Sequence, residues 1–171
     1  DVCSSDLELG PSQRPYIDGP ELRFRCDTGL SADVQMILVT RVLAQVLETD
    51  VFSRFTNAMQ TQIDNSLPDE MRWLAMHPKV SLAASQILQR RFALFCNAEP
   101  VAKAWLDHEM LMVLESAATQ WWTDSLMMVL VVNRGMLTLR MPGTGVEPTQ
   151  LKLVGQFFGR ACERMRAVAA A

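Results

Sequence analysis

Two histidines and four cysteines are the residues of this chain best suited to metal or nucleophilic chemistry. Zinc needs three or four such ligands at short, regular spacing, and His77 and His108 belong to neither an HExxH pair nor a Cys/His cluster. His108 stands between Asp107 and Glu109, but adjacent residues on a helix point about 100° apart and do not converge on one ion. Cys96 could reach His108 only through the fold, and a reactive thiol needs an accessible, electropositive setting. A buried, structural Cys96 is the simpler expectation. There is no GxSxG nucleophile elbow. The neighbouring carboxylates Asp69 and Glu70 open a predicted helix, where the helix dipole accounts for them. Gly143-Thr144-Gly145 lacks the third glycine and the strand-to-helix setting of a dinucleotide site, and no GxxxxGK[ST] loop occurs. These residues predict no catalytic site, no metal ligands and no cofactor.

Aromatic residues give a stronger signal. The chain has four tryptophans, two of them adjacent, at Trp121 and Trp122. Adjacent side chains on a helix or strand do not face one core together. One of the pair is therefore expected at a rim or contact surface, where tryptophan dominates binding energy. Eleven methionines suit an adaptable core first, and a partner-binding groove second. Trp121 and Trp122 are the predicted partner surface.

A second segment points elsewhere. Residues 75–84, AMHPKVSLAA, resemble the A-x-x-x-G-V-S-x-x-T turn of helix-turn-helix DNA-binding proteins. Lys79 replaces the turn glycine, Pro78 an apolar residue, and Ser85 a Val or Ile. The resemblance covers about 20 residues. It implies a DNA-binding regulator built on residues 72–92, whose second helix enters the major groove. Lys79, Gln86, Gln89, Arg90 and Arg91 are its candidate DNA contacts. Lys152, Arg160, Arg164 and Arg166 on the last helix could extend the basic surface.

Bulk properties narrow the field. The first seven residues, DVCSSDL, back-translate as GAC GTG TGC TCT TCC GAT CT, which resembles the end of a sequencing-adapter oligonucleotide read in frame. Residues 1–7 are therefore set aside as an artefact of an assembled environmental read. On that reading the natural N-terminus, and any signal peptide on it, is missing. Without Asp1 and Asp6 the 19 acidic residues become 17 against 16 basic ones, a net charge of −1. A near-neutral chain has no overall electrostatic case for nucleic acid or acidic membrane. Cys26, Cys96 and Cys162 remain, odd in number and far apart, which predicts free buried thiols in a reducing, cytoplasmic compartment. No apolar run approaches the ~18 residues of a membrane span.

Residues 8–20, with three prolines and two glycines, read as an extended lead-in, and residues 21–171 as one globular domain. Residues 21–26 alternate as a half-buried strand. Ser31 or Asp33 caps an expected helix to 49, apolar on most sides and therefore central. Further helices are expected at 50–65, from Ser66 to His77, at 81–96, at 99–120 and from Thr149 onward. Between them, 121–141 could continue the helix, but β-branched Val129, Val131 and Val132 favour a hairpin around a three-residue loop, Asn133-Arg134-Gly135, with 21–26 as an available third strand.

The predicted fold is thus α+β and predominantly α-helical. Five or six helices pack round a central apolar helix, with a two- or three-stranded antiparallel sheet. The expected function is a non-catalytic bacterial interaction or regulatory module that binds a protein partner or itself through an apolar Trp/Met surface. The alternative is the DNA-binding regulator. A third option is an enzyme whose site assembles only in the fold.

Overall fold

The computed structural model describes residues 6–57 and 68–171. Its centre is a seven-stranded, wholly antiparallel sheet in the order β1-β2-β7-β6-β3-β5-β4. The strands are β1 (Asp6–Pro11), β2 (Pro20–Asp27), β3 (Met36–Thr40), β4 (Lys79–Val80), β5 (Phe92–Cys96), β6 (Val129–Asn133) and β7 (Met136–Pro142). The helices are α1 (Arg41–Asn57), α2 (Asp69–Met76), α3 (Gln86–Arg91), α4 (Glu99–Trp105), α5 (His108–Gln120) and α6 (Pro148–Ala170).

This corrects the expectation of a predominantly α-helical fold with a small sheet. Two expected helices each contain a core strand, β3 at the start of one and β5 at the end of the other. Met36–Thr40 and Phe92–Cys96 are buried at every position and pair with each other in the middle of the sheet. A strand covered on both faces reads as a continuous apolar run, which periodicity alone does not separate from a buried helix. The central element is accordingly strand β3, and the helix begins only at Arg41. The expected break at residue 50 is absent, since α1 continues to Asn57. The rest of the expected 50–65 helix, and the Ser66 cap, fall at 58–67, outside the described residues.

Other expectations are met. α2 stops at Met76, with His77 extended before Pro78, as the clash of proline with a preceding helical residue requires. β6 and β7 form the expected hairpin, and β2 joins it as a neighbour of β7. Its loop has two residues rather than three. Arg134 and Gly135 carry φ of 52° and 78°, and Asn133 pairs with Met136. Two left-handed residues match the strand twist better than the expected bulged loop. The lead-in also holds more structure than expected, with β1 pairing along β2.

Strand alternation sends side chains to two layers. Leu22, Phe24, Leu38, Leu94, Leu130, Leu139 and Met141 join α4, α5 and α6 in the larger core. Ile37, Val39, Ala93, Phe95, Val129 and Val131 join α1 and α2 in the smaller one. Asp107 divides the expected 99–120 helix by accepting the backbone N–H of Met110 at 2.8 Å as the cap of α5.

The cysteines also differ from expectation. Cys26 on β2 and Cys162 on α6 form a disulfide across 136 residues, and Cys96 is the remaining free, buried thiol among the described residues. The sequence concealed the pair because the strand and helix that carry it lie at opposite ends of the chain.

Candidate functional site

α5 and α6 run beside each other over the larger core and leave an open groove of about 390 Å³ between them. From α5 come Glu109, Met112, Val113, Ser116 and Gln120, spaced at helical repeats along one stripe. From α6 come Leu153, Gln156, Phe157 and Arg160, again one stripe. Trp121, at the C-terminal cap of α5, lines the groove as well. The lining mixes apolar side chains with the polar Glu109, Ser116, Gln120, Gln156 and Arg160. Met112 is 56% exposed, unusual for so large an apolar side chain, and Trp121 is half-buried. Arg160 and Glu109 face each other from the two helices at 3.6 Å.

The tryptophan pair divides as its adjacency requires. Trp122 is wholly buried, edge-on to Phe92 at 4.7 Å and to Phe157 at 5.5 Å. Trp121 stacks on Trp122 at 5.9 Å and 11°, and meets Phe157 edge-on at 5.5 Å. Trp122 is thus a core residue that carries Trp121, and Trp121 is the one that lines the groove.

Arg91 fixes this arrangement. Its guanidinium donates to the Ala118 carbonyl at 3.0 Å, to the Trp122 carbonyl at 2.6 Å and to the Asp124 carboxylate at 2.9 Å. The last carbonyls of a helix lack intrahelical donors, and a charged donor satisfies them strongly.

The other proposed DNA contacts do not assemble with it. Strand β4 lies between α2 and α3, so residues 72–92 form no helix-turn-helix. Lys79 lies on β4 with its ammonium 5.8 Å from the Phe95 ring, against the smaller core. Gln86, Gln89 and Arg90 lie exposed on α3, whose six residues make a short helix. Three of the four basic residues of α6 are engaged, Arg160 with Glu109, Arg164 with Asp107 and the Ala104 carbonyl, and Arg166 with the Asp27 carbonyl, while Lys152 is exposed.

A second polar concentration lies where β2 and β7 turn away from the larger core. Glu21 is 1% exposed and accepts from Arg140 at 2.8 Å, Arg23 at 2.8 Å and Ser12 at 2.9 Å. Burial alone would raise its carboxyl, but these bonds hold it below the ordinary carboxylate range. Nearby, Glu70 accepts from Arg14 at 2.6 Å and from the Tyr16 hydroxyl at 2.8 Å. Burial, then Glu70, pushes the Tyr16 hydroxyl well above its usual range. These bonds clamp the lead-in against the sheet and α2, although the buried Arg140 Nε has no hydrogen-bond partner among the described residues. Sequence reading missed this cluster because its members come from three separate segments.

The histidines are apart. His77 is within 2.8 Å of the Gln35 side chain, and burial lowers its pKa. His108 is exposed on the first turn of α5. Among the described residues, no three His, Cys, Asp or Glu side chains are grouped to hold a metal ion, and no helix is long and apolar enough to cross a membrane.

Comparison with known proteins adds no relative. No family model, curated protein or solved structure matches the chain. The site's own geometry is therefore the basis for a functional reading. Its missed members left a trace in sequence: Leu153 and Phe157 are four apart on α6, and Met112 has His108, Glu109, Glu115 and Ser116 one helical turn away on α5.

Proposed function

We propose that the protein is a non-catalytic interaction module that holds a short apolar segment of a partner polypeptide in the α5–α6 groove. The observation that carries this reading is the groove's lining: Met112, Val113, Trp121, Leu153 and Phe157 in an open channel of about 390 Å³. That volume falls in the range of ligand-binding clefts, which are largely apolar with a few orienting polar groups. Burying one large apolar side chain contributes about 1.5–3 kcal/mol. An exposed ion pair such as Glu109–Arg160 contributes about 0–1 kcal/mol. The apolar lining therefore supplies the affinity, and the polar side chains among it orient the occupant. Methionine suits such a surface because it repacks around different partners.

The DNA-binding alternative has less support. A strand separates its two helices, the second helix has only six residues, and Arg91 is committed to the end of α5. The enzyme reading would need convergent polar groups. The charged residues lining this groove pair with each other instead.

The test is selection of displayed random 15-residue peptides on the immobilised full chain. Apolar peptides that bind wild type and lose at least tenfold in affinity for Trp121→Ala support the reading. Selection that yields no binder, or binders indifferent to Trp121→Ala, contradicts it. A second copy of the chain as occupant would appear as concentration-dependent association that the same substitution weakens.

A further inference from the structure

The Cys26–Cys162 bond joins the first long strand of the sheet to the last helix. Its position bears on the groove, because α6 supplies one wall. Cys162 lies on the same buried stripe as Phe157 and Phe158. On the facing strand, Cys26 points to the same side as Phe24, whose ring lies 5.5 Å from that of Phe158. Polar contacts also attach this part of α6: the Trp105 indole donates to the Ala161 carbonyl at 3.1 Å, Arg164 donates to the Ala104 carbonyl at 2.6 Å and pairs with Asp107 at 3.3 Å, and Arg166 donates to the Asp27 carbonyl at 2.8 Å.

Two features set the character of the bond. The first is its span. A link across 136 residues removes a large loop-closure entropy from the unfolded chain, and without it α6 must find β2 unaided. The second is burial. Cys26 is 2% exposed and Cys162 is 0% exposed. An external reductant reaches these sulfurs only when α6 lifts, so the bond is made during folding rather than switched at the surface. In the folded protein Cys96 is 0% exposed, and burial raises its thiol.

We infer that the protein matures oxidatively, in an oxidising compartment, and that the α6 wall is fully fixed only once Cys26 and Cys162 are joined. The groove part of this inference rests on the function proposed above; the oxidation part does not. The chemistry is thiol–disulfide exchange with a small-molecule or protein disulfide as oxidant. One cysteine thiolate attacks the oxidant and releases its first thiol. The second cysteine thiolate then attacks the mixed disulfide and releases the other, so that one disulfide is exchanged for another and the oxidant leaves as two thiols.

The experiment uses the full chain, reduced in denaturant and refolded with either glutathione disulfide plus glutathione or glutathione alone. Free thiols are alkylated, peptides are mapped without reduction, and both products are melted. Oxidative refolding should yield the linked Cys26–Cys162 peptide with Cys96 alkylated. The reduced product should melt lower by roughly 5–15 °C. The Cys26→Ala/Cys162→Ala double variant should melt like the reduced product whichever buffer is used. Alkylation of both Cys26 and Cys162 after oxidative refolding would overturn the inference, as would equal melting of linked and reduced wild type. A groove-binding peptide should bind the linked form several-fold more tightly than the reduced form, and equal binding would overturn the groove part alone. Loss of that peptide's dependence on Trp121 in the linked form would sink the proposed function while leaving the mapping and melting results standing.

Discussion

The guanidinium of Arg91 donates to the backbone carbonyl of Trp122 at 2.6 Å. This one bond joins the end of α3 to the end of α5, and with it the sheet-edge helix to the groove. Trp122 carries Trp121 by ring stacking, so Arg91 positions the groove's aromatic residue without touching the groove.

Replacing Arg91 by methionine keeps most of the stem's packing and removes the donors. The Ala118 and Trp122 carbonyls then lose a charged partner. The expected cost is about 1–3 kcal/mol of stability, seen as a lower denaturant midpoint at unchanged slope. The tryptophan emission should also shift to the red as Trp121 loosens. An unchanged midpoint and spectrum would show that the α5 terminus holds itself.

The two tryptophans should separate in their effects. Trp122→Ala empties a fully buried site and is expected to cost about 3–5 kcal/mol. Trp121→Ala should cost less, since its ring is half-buried, yet lower peptide affinity at least tenfold. Chemical denaturation and fluorescence anisotropy on the same pair of variants measure both. The reverse ranking of stability would contradict the burial pattern.

Acid should loosen the clamp at Glu21. Its carboxyl is held below the ordinary range, so below about pH 4.3 the folded state binds fewer protons than the unfolded state. The stabilisation is full above that pH and is lost as pH falls through the depressed folded value. Glu21→Gln should remove about 2–4 kcal/mol at neutral pH by leaving Arg23 and Arg140 with less charge compensation. It should also flatten the acid side of the melting curve against pH. An acid side as steep as in wild type would place the titration elsewhere.

The β6–β7 turn offers a backbone test. Gly135 has φ of 78°, and an added Cβ would lie 3.2 Å from the Leu30 carbonyl oxygen. Gly135→Ala should cost about 1–2 kcal/mol from the left-handed conformation alone. Gly159→Ala, on α6 with open space at the Cβ position, should be neutral or stabilising. Thermal melts of the two variants should move in opposite directions or by clearly different amounts.

Much of the periphery was legible in sequence, and the centre was not. The stop before Pro78, the β6–β7 hairpin and the α6 stripe each carry local chemistry, a proline, two left-handed residues or a four-residue repeat. Met36–Thr40 and Phe92–Cys96 carry none, because strands buried on both sides lose the alternation that marks them. Once read as helix, they hid the sheet that β2, β6 and β7 belong to. The candidate site was half legible. Adjacency forced Trp121 and Trp122 apart, but only the packing of α5 against α6 shows which faces the groove. Arg91 looked like a nucleic-acid contact for want of a visible partner, and its partners lie 27 to 33 residues away in the chain.

The most direct test of the groove is a titration of selected apolar peptide into ¹⁵N-labelled full chain, following the indole N–H resonances. The chain has four tryptophans and therefore four such signals, assignable by single substitution. Trp121 should move most, buried Trp105 and Trp73 should stay nearly fixed, and Leu153→Glu should abolish the shift. A peptide that binds while Trp121 remains still, or that binds Leu153→Glu as well as wild type, would show that the α5–α6 groove is not the binding site.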